Sequence, residues 1–308
     1  RLRLAMRIRF ANPSLSKSEA EKAFNSGALI TSNDDNAYVA VSNDNRNPLE
    51  TITDWGEFRM SGTMEGILKG FNDPRMASYF DPAPEGDQDG DGIPYEGLQN
   101  GQTKVALGVS QNPITSDVNV YYRDAAAGGT NPPIELMQAA EVHLLLAEAA
   151  LAGYNVGGSA QQYYESGITM SMQERTSASA GAIASYISSN NTPVSFDGGT
   201  TPASSDIPIA FESSNTERAL EQIITQKWIA LFPNGWEAWA EARRTGYPKQ
   251  LPRVQSDNPD VAVDEIPARM TYVASEFTTN SEGVNAAISS PELGGQDKNN
   301  VRLWWDKK

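Results

Sequence analysis

The stretch that decides the fold is residues 133–176, PIELMQAAEVHLLLAEAALAGYNVGGSAQQYYESGITMSMQERT. In its first half, apolar residues recur in steps of three and four, which places them on one face of a helix. This stripe comprises Met137, Ala140, Leu144, Ala147 and Leu151. Apolar residues also fill the neighbouring faces, so we expect the helix to be packed on more than one side.

The same stretch contains a second helix. Pro132 and Pro133 are predicted to begin the first helix and Gly153 to end it, since proline suits a first turn and glycine a helix end. After a short turn, a second apolar stripe of Tyr163, Tyr164, Ile168 and Met172 follows. Two helices joined by a short link predict an antiparallel αα-hairpin.

Composition excludes several classes of function. With 308 residues the chain can bury a large core as one large domain or two intimate ones. Its net charge of −15 argues against nucleic-acid binding, which needs clustered cations. The absence of cysteine excludes disulfides, a thiolate nucleophile and a Cys-type zinc site. No apolar run reaches the roughly 18 residues expected of a membrane span.

The segments before the hairpin predict short elements separated by long loops. We expect a helix within residues 1–10, a second over residues 17–25 with a capping box from Ser16 to Glu19, and a short strand over residues 37–41. Residues 44–130 are predicted to form a loop-rich excursion. Within this excursion we expect one helix at residues 60–68 and two short strands or extended pieces, at residues 103–110 and 118–122.

The segments after the hairpin predict further helices. A short helix is expected at residues 182–188. Ser214 to Glu217 is a second capping box, and it precedes an apolar stripe of Leu220, Ile223, Ile224, Trp228 and Leu231. Another helix follows, with Trp236 and Trp239 on one face, and it ends in the sequence RRTGYP. Residues 214–308 are thus predicted to be C-terminal helices followed by a tail.

Several of these segments, in this order, resemble the SusD/RagB family. The matching runs are PSLSKSEA (residues 13–20), NDPR (72–75) followed by YF (79–80), EVHLLLAEAALAGYN (141–155), AQQYYESGITMSM (160–172), ITQKWIALFPNGWEAWAEARRTGYP (224–248) and RLWWDK (302–307). The resemblance implies a mostly α fold of tetratricopeptide-like helical pairs, with long loop-rich excursions and a few short strands. It also implies a single domain over residues 1–308 that lacks its N-terminal portion.

The resemblance further implies a function and a location. The family consists of nutrient-binding lipoproteins on the outer membranes of Bacteroidetes. We therefore expect a protein that captures oligosaccharides at the cell surface for a SusC-like TonB-dependent transporter, held by a lipid anchor upstream of this chain. Peptide capture is the alternative ligand class within the family.

Enzymatic activity is disfavoured by the residues themselves. The one histidine, His143, lies in the apolar helix, where a packing role is favoured. HExxH, GxSxG and phosphate-binding glycine motifs are absent from the sequence. A carboxylate pair such as Asp34 and Asp35 keeps open a helical glycoside hydrolase, which needs two suitably spaced carboxyl groups. A tetratricopeptide scaffold for a protein partner also stays open, although the sequence shows one clear helical pair.

Candidate ligand-binding residues lie in the loop-rich excursion. Sugars bind flat aromatic rings beside hydrogen-bonding side chains. Trp55 lies in a polar loop near Arg59, and Tyr79 and Tyr95 also lie in loops. We predict these four as the ligand site, with loop anchoring as the alternative. The remaining tryptophans are predicted to pack within the structure, and they are Trp228, Trp236, Trp239, Trp304 and Trp305.

The sequence DQDGDG predicts a structural calcium site. Asp87, Asp89 and Asp91 stand at positions 1, 3 and 5 of a loop with Gly92 at position 6, as in the first half of a calcium-binding loop. Position 12 is a leucine, so the loop is not an EF-hand. Glu96 or Glu85 is expected to complete the ligand set. A solvated acidic turn is the alternative, since Asp and Gly favour turns.

Overall fold

A computed structural model describes residues 1–42, 44–56, 58–103, 111–123 and 128–308. The described residues form twelve α-helices and a two-stranded antiparallel sheet. The helices are α1 (Leu2–Arg7), α2 (Pro13–Asn25), α3 (Pro48–Asp54), α4 (Gly62–Phe71), α5 (Met76–Tyr79), α6 (Ala139–Leu151), α7 (Ala160–Arg175), α8 (Ala180–Ile187), α9 (Thr216–Ala230), α10 (Gly235–Thr245), α11 (Ala274–Thr279) and α12 (Ser281–Ile288). The strands are β1 (Ala37–Val39) and β2 (Ile134–Met137).

The predicted αα-hairpin is present as α6 and α7, which pack against each other. Helix α6 separates two apolar cores, as expected for a helix packed on more than one side. Ala140, Leu144 and Ala147 contribute to one core, and Val142 and Leu145 to the other. Helix α6 also packs against α1 and α9. The hairpin is therefore the centre of the molecule.

The start of the first hairpin helix was predicted wrongly. Residues 134–137 form strand β2, which pairs with β1, and the helix begins only at Ala139. Proline suits a strand entrance as well as a first helical turn, because its fixed φ is compatible with extended backbone, and Pro132 and Pro133 here precede a strand. The pairing with β1 is a long-range contact that a local apolar period does not reveal. The strand predicted at residues 37–41 is confirmed at β1.

Both predicted capping boxes were wrong in detail. Helix α2 begins at Pro13, and the side chain of Asn12 accepts a hydrogen bond from the Leu15 amide at 3.1 Å. Ser16 is instead buried and accepts a hydrogen bond from the Tyr154 hydroxyl at 2.9 Å. Helix α9 is capped by Asn215 rather than by its neighbour Ser214. In both cases asparagine, another strong N-cap residue, takes the position.

The described part of the loop-rich excursion contains three α-helices, of which one was predicted. Helix α4 confirms the helix expected at residues 60–68. The strand expected at residues 118–122 is wrong, because Val120–Tyr122 forms a 3-10 turn and Val118 makes only an isolated bridge to Phe80. Residues 104–110 of the other predicted extended piece lie outside the described residues. Helix α8 confirms the helix expected at residues 182–188, and helices α11 and α12 were not predicted.

Two of the tryptophans predicted to pack are largely exposed. Trp236 is 71% exposed in the first turn of α10, and Trp304 is 51% exposed. Trp228 packs against the main core, and the Trp239 indole donates to the Pro267 carbonyl at 2.9 Å. The apolar stripe of α10 therefore does not bury both of its tryptophans.

In the part of the chain that the structure describes, no helix combines the length and apolarity needed to cross a membrane.

Helix α4 receives an extended segment on a row of glycines. Gly62, Gly66 and Gly70 are spaced four residues apart, and residues 192–196 lie against them. The Val194 amide donates to the Gly66 carbonyl at 2.9 Å. A Cβ atom on Gly70 would lie 2.6 Å from the Cα of Pro193. The absence of side chains is therefore what lets the two backbones meet.

We expect Gly70→Ala to lower the unfolding free energy. Alanine in a helix interior normally stabilises by about 0.5–1 kcal/mol relative to glycine, but here the new methyl group overlaps backbone atoms. The matched control is Gly181→Ala in α8, where the nearest atom is 4.0 Å away. Urea unfolding should show a lower unfolding free energy for Gly70→Ala and a higher one for Gly181→Ala. Equal gains in both would contradict the close approach at α4.

Candidate functional site

A cleft of about 470 Å³ opens where β1, the end of α5, the 3-10 turn Val120–Tyr122, β2 and the end of α7 meet. We call it the Tyr38–Tyr121 cleft. It is lined by Tyr38, Ala77, Ser78, Asn119, Tyr121, Tyr122, Pro133, Glu135, Glu174 and Arg175. Its size lies within the range of about 300–1,000 Å³ typical of small-molecule sites.

Two tyrosine rings present partly exposed surfaces to this cleft. Tyr38 is 41% exposed and Tyr121 is 42% exposed. The Tyr121 ring stands edge-on to Tyr122 with 5.1 Å between centroids, and Tyr122 stands edge-on to Phe232 at 5.6 Å. Phe232 also contacts Tyr79 at 4.6 Å. A buried aromatic cluster therefore holds the Tyr121 ring in place at the surface.

The polar groups of the cleft include a carboxylate bonded to neutral donors. Glu174 accepts hydrogen bonds from the Tyr38 hydroxyl and from the side-chain amide of Asn36, the latter at 3.1 Å. Burial and the bond to Glu174 raise the pKa of Tyr38 to about 12, so this phenol stays neutral and donates. Arg175 donates to Glu135 at 2.6 Å. Such an arrangement offers hydrogen-bonding groups beside aromatic faces.

Of the residues predicted from the sequence, Trp55 is available to a ligand. It is 60% exposed at the end of α3 and does not line the cleft. Helix α3 contacts the turn that carries Tyr121, because the Thr53 hydroxyl donates to the Tyr122 carbonyl at 3.1 Å. Trp55 and Tyr121 therefore lie on neighbouring surface segments.

The other three predicted ligand residues are engaged within the protein. Tyr79 is fully buried, so its prediction as a ligand contact is wrong. Tyr95 is partly buried and packs against the main core. Arg59 donates to the backbone carbonyls of Gly56 and Thr115, the latter at 3.3 Å, and it lies 3.8 Å from Asp117. Loop anchoring, the alternative considered for this set, describes Tyr95 and Arg59 better.

Sequence reasoning missed Tyr38, Tyr121 and Glu174. These residues are far apart in the chain and meet only through the β1–β2 pairing and the packing of α7. The tyrosine pair at positions 121 and 122 lay in a segment predicted to be a short strand or an extended piece.

His143, predicted as a packing residue, is partly buried, and its Nε2 lies 3.1 Å from the Thr31 carbonyl. Asp34 and Asp35, the example of a hydrolase pair, do not line the cleft.

The DQDGDG loop forms a separate acidic site. The Asp87 carboxylate accepts from the amides of Gly90 at 2.7 Å and Gly92 at 2.8 Å, which curls the loop. These backbone bonds lower the pKa of Asp87. Asp87, Asp89 and Asp91 each place a carboxylate oxygen within 4.8 Å of the others. The sequence prediction therefore identified three groups that do converge.

Helix α4 adds one carboxylate and one cation to this loop. Lys69 Nζ lies 2.7 Å from Glu65, 3.0 Å from Asp91, 3.4 Å from Asp89 and 3.6 Å from Glu96. Burial raises the pKa of Glu65 to about 8 and also raises the pKa of Glu96. The carboxylates around Lys69 therefore outnumber its single ammonium group. Glu65 and Lys69 were missed because their helix precedes the loop by some 20 residues.

Comparison with known proteins places the chain within a family of known structure. The family model described as SusD-like, Susd and RagB outer membrane lipoprotein, matches residues 1–306. A chitin-binding SusD homologue from Flavobacterium johnsoniae is 38% identical, with a TM-score of 0.85, and the alignment covers 99% of this chain and 61% of that protein. No curated protein matches the sequence.

Two further solved structures show the same likeness. A SusD homologue from Bacteroides thetaiotaomicron is 33% identical, with a TM-score of 0.85 and coverage of 100% of this chain and 63% of that protein. A SusD homologue from Bacteroides vulgatus is 33% identical, with a TM-score of 0.84 and coverage of 99% and 60%. The chain thus spans about three fifths of the length of these relatives.

Proposed function

Because the chain belongs to the SusD-like family of outer membrane lipoproteins, we propose that it captures oligosaccharides at the cell surface without cleaving them. The observation that carries this proposal is the Tyr38–Tyr121 cleft. Its exposed aromatic rings can stack on the apolar faces of sugar rings, while carboxylate and amide groups bind hydroxyls. The rigid backing of Tyr121 by Tyr122 and Phe232 supports a preorganised site.

The first ligand to test is a chitin fragment. A chitin-binding SusD homologue is 38% identical to this chain over the aligned region and has the same fold there. We therefore propose β-linked N-acetylglucosamine oligosaccharides as ligands. Each such ring offers an apolar face to a tyrosine and an acetamide group to a hydrogen-bonding neighbour.

The family also supplies a proposed location and partner. Its members are described as outer membrane lipoproteins, so we propose that the whole protein is lipid-anchored there and faces the cell exterior. A SusC-like TonB-dependent transporter is the proposed recipient of the captured sugar. Co-purification of the whole protein with such a transporter would test this pairing, and its repeated absence from mild detergent extracts would count against it.

Tyr121→Ala is expected to weaken the binding of chito-oligosaccharides roughly tenfold, because it removes an aromatic face worth about 0.5–1.5 kcal/mol beyond its buried area. Isothermal titration calorimetry measures the affinity, and chromatography of the recovered sugar tests for cleavage. Tyr121→Phe keeps the ring and should retain most of the affinity. Trp236→Ala removes an aromatic residue that is more exposed than Tyr121 but lies outside the cleft, and it serves as the control.

Two outcomes would change this account. If Trp55→Ala weakens binding and Tyr121→Ala does not, the site lies at Trp55, as predicted from the sequence, and not at the cleft. If the recovered sugar is shortened, capture without chemistry is wrong and the hydrolase alternative is correct. Peptides tested in the same titration would identify the other ligand class considered for this family.

We also propose that the DQDGDG loop binds a structural calcium ion. Carboxylate oxygens are the ligands that calcium prefers. Asp89 belongs to two groups of converging carboxylates, one with Asp87 and Asp91 and one with Glu65 and Glu96. Lys69 already supplies one positive charge there. Because the carboxylates are in excess, we expect the calcium ion to bind beside the ammonium group rather than to require its removal.

Calcium added to chelator-treated protein should raise its thermal stability, by about 2.7 kcal/mol at a free concentration 100 times the dissociation constant. Asp87→Asn should abolish this gain, because it removes one ligand charge at the start of the loop. Asp206→Asn, an exposed carboxylate elsewhere, is the control and should leave the gain intact. If a calorimetric titration with calcium shows no binding heat and calcium leaves the melting temperature unchanged, the loop does not bind calcium.

A further inference from the structure

We propose that the Tyr38–Tyr121 cleft selects saccharides by charge. It binds amino sugars that carry a free ammonium group in preference to neutral sugars, and it rejects uronates and sulfated sugars. This inference rests on the proposed function, since it names the substrate class of the same cleft. Glu174 is the residue that we assign to this selection.

The surroundings of Glu174 leave its negative charge uncompensated. Its hydrogen bonds come from the Tyr38 hydroxyl and the Asn36 amide, both neutral donors. A carboxylate can accept about four hydrogen bonds, and Glu174 is only partly buried. It therefore keeps acceptor capacity for a ligand. The Tyr38 hydroxyl is uncharged, so it does not compensate the negative charge of Glu174.

The cations of the cleft are already paired. Arg175, whose side chain is 8% exposed, lies 2.6 Å from Glu135. The lining thus holds two carboxylates, Glu135 and Glu174, against one guanidinium group. Among the described residues, the next arginine toward Tyr121 is Arg123, which lies 2.9 Å from Asp117 and 3.2 Å from Asp81. Among the lining residues that the structure describes, an anionic sugar would meet no free cation.

A sugar that carries a positive charge is favoured at this wall of the cleft. An ammonium group in place of an acetamide can donate hydrogen bonds to Glu174 and form an ion pair with it. A partly exposed ion pair of this kind corresponds to a roughly fivefold preference at low ionic strength. Because salt screens exposed charges, the preference should shrink at high ionic strength, whereas stacking on Tyr121 should not.

The test compares three tetrasaccharides by calorimetry in mildly acidic buffer: the N-acetylglucosamine tetramer, its fully de-N-acetylated counterpart and a galacturonic acid tetramer. We expect the amino sugar to bind roughly fivefold more tightly than the neutral one and the uronate not to bind. Glu174→Gln should reduce the ratio between amino and neutral sugar to about one. Glu165→Gln makes the same charge change outside the cleft lining and should preserve the ratio.

Each outcome decides between the two proposals. Equal affinities for the amino and neutral tetramers, or tight binding of the uronate, would overturn charge selection and leave oligosaccharide capture in place. A failure of all three to bind would overturn the proposed function itself. If Glu174→Gln does not fold, the salt dependence of the ratio in the unchanged protein still decides, because a salt-independent ratio would contradict an ion pair.

Discussion

Replacing Arg244 by methionine is expected to cost about 3–5 kcal/mol of unfolding free energy, one of the two largest effects that we expect from a single substitution. Arg244 is fully buried and donates to both oxygens of Glu148, at 2.6 and 2.7 Å. It also donates to Glu241, one helical turn earlier, at 3.3 Å. Its loss would leave two buried carboxylates short of a partner.

This ion pair joins the two segments in which the family resemblance is clearest. Glu148 lies in the EVHLLLAEAAL run of α6, and Arg244 is the second arginine of the RRTGYP run at the end of α10. Arg9 adds a further bond to Glu148 at 3.0 Å, so the segment that follows α1 is held at the same point. Removing Arg244 should therefore loosen the packing of α10 against the central hairpin.

Urea unfolding followed by tryptophan fluorescence measures this loss. The double variant Glu148→Gln/Arg244→Met no longer contains the Glu148 carboxylate, which Arg244→Met leaves buried without its main partner. Part of the lost unfolding free energy should therefore return. Arg302→Met removes an arginine that is mostly exposed and pairs with Asp306 at 3.4 Å, and it should cost under about 1 kcal/mol. Equal losses for Arg244→Met and Arg302→Met would show that burial of the charges does not matter.

Replacing Arg75 by methionine is expected to have a comparable cost, about 3–5 kcal/mol. Arg75 is fully buried and binds Asp73 through two bonds, at 2.9 and 2.6 Å. It also donates to Ser171 at 3.0 Å, Gln226 at 2.8 Å and Tyr186 at 3.2 Å. One guanidinium group thus connects the NDPR segment to helices α7, α8 and α9.

The contributions of charge and packing at Arg75 can be separated. Asp73→Asn in the Arg75→Met background removes the unpaired carboxylate and should recover part of the loss. Arg75→Lys keeps the charge but lacks the planar fork that binds a carboxylate through two bonds, so it should lie between the parent protein and Arg75→Met. Full stability in Arg75→Lys would show that the network needs only a positive charge at this position.

The helices of the core were predictable from the sequence because apolar stripes are local. Helices α6, α7 and α9 each carry a run of side chains at helical spacing, and the central hairpin is confirmed. Strand β2 was not predictable in this way, since its partner β1 is almost a hundred residues earlier. The N-caps were missed because asparagine and serine compete for the same role.

The candidate site was less predictable than the fold. A sequence shows which residues can stack on a sugar, but not which of them the fold exposes. Tyr79 was a candidate and is buried behind Phe232, whereas Tyr38 and Tyr121 were passed over and reach the surface. The acidic loop was recognised because its three aspartates stand at every second position of one short segment. Its partners Glu65 and Lys69 come from a helix and required the tertiary structure.

The central claim is that the Tyr38–Tyr121 cleft holds an uncleaved oligosaccharide. A crystal structure of the protein with an N-acetylglucosamine oligosaccharide tests it most directly. We expect a sugar ring stacked on Tyr121, with Glu174 within hydrogen-bonding distance and the glycosidic bonds intact. Ordered sugar at Trp55 or on another surface, with an empty cleft, would contradict the account.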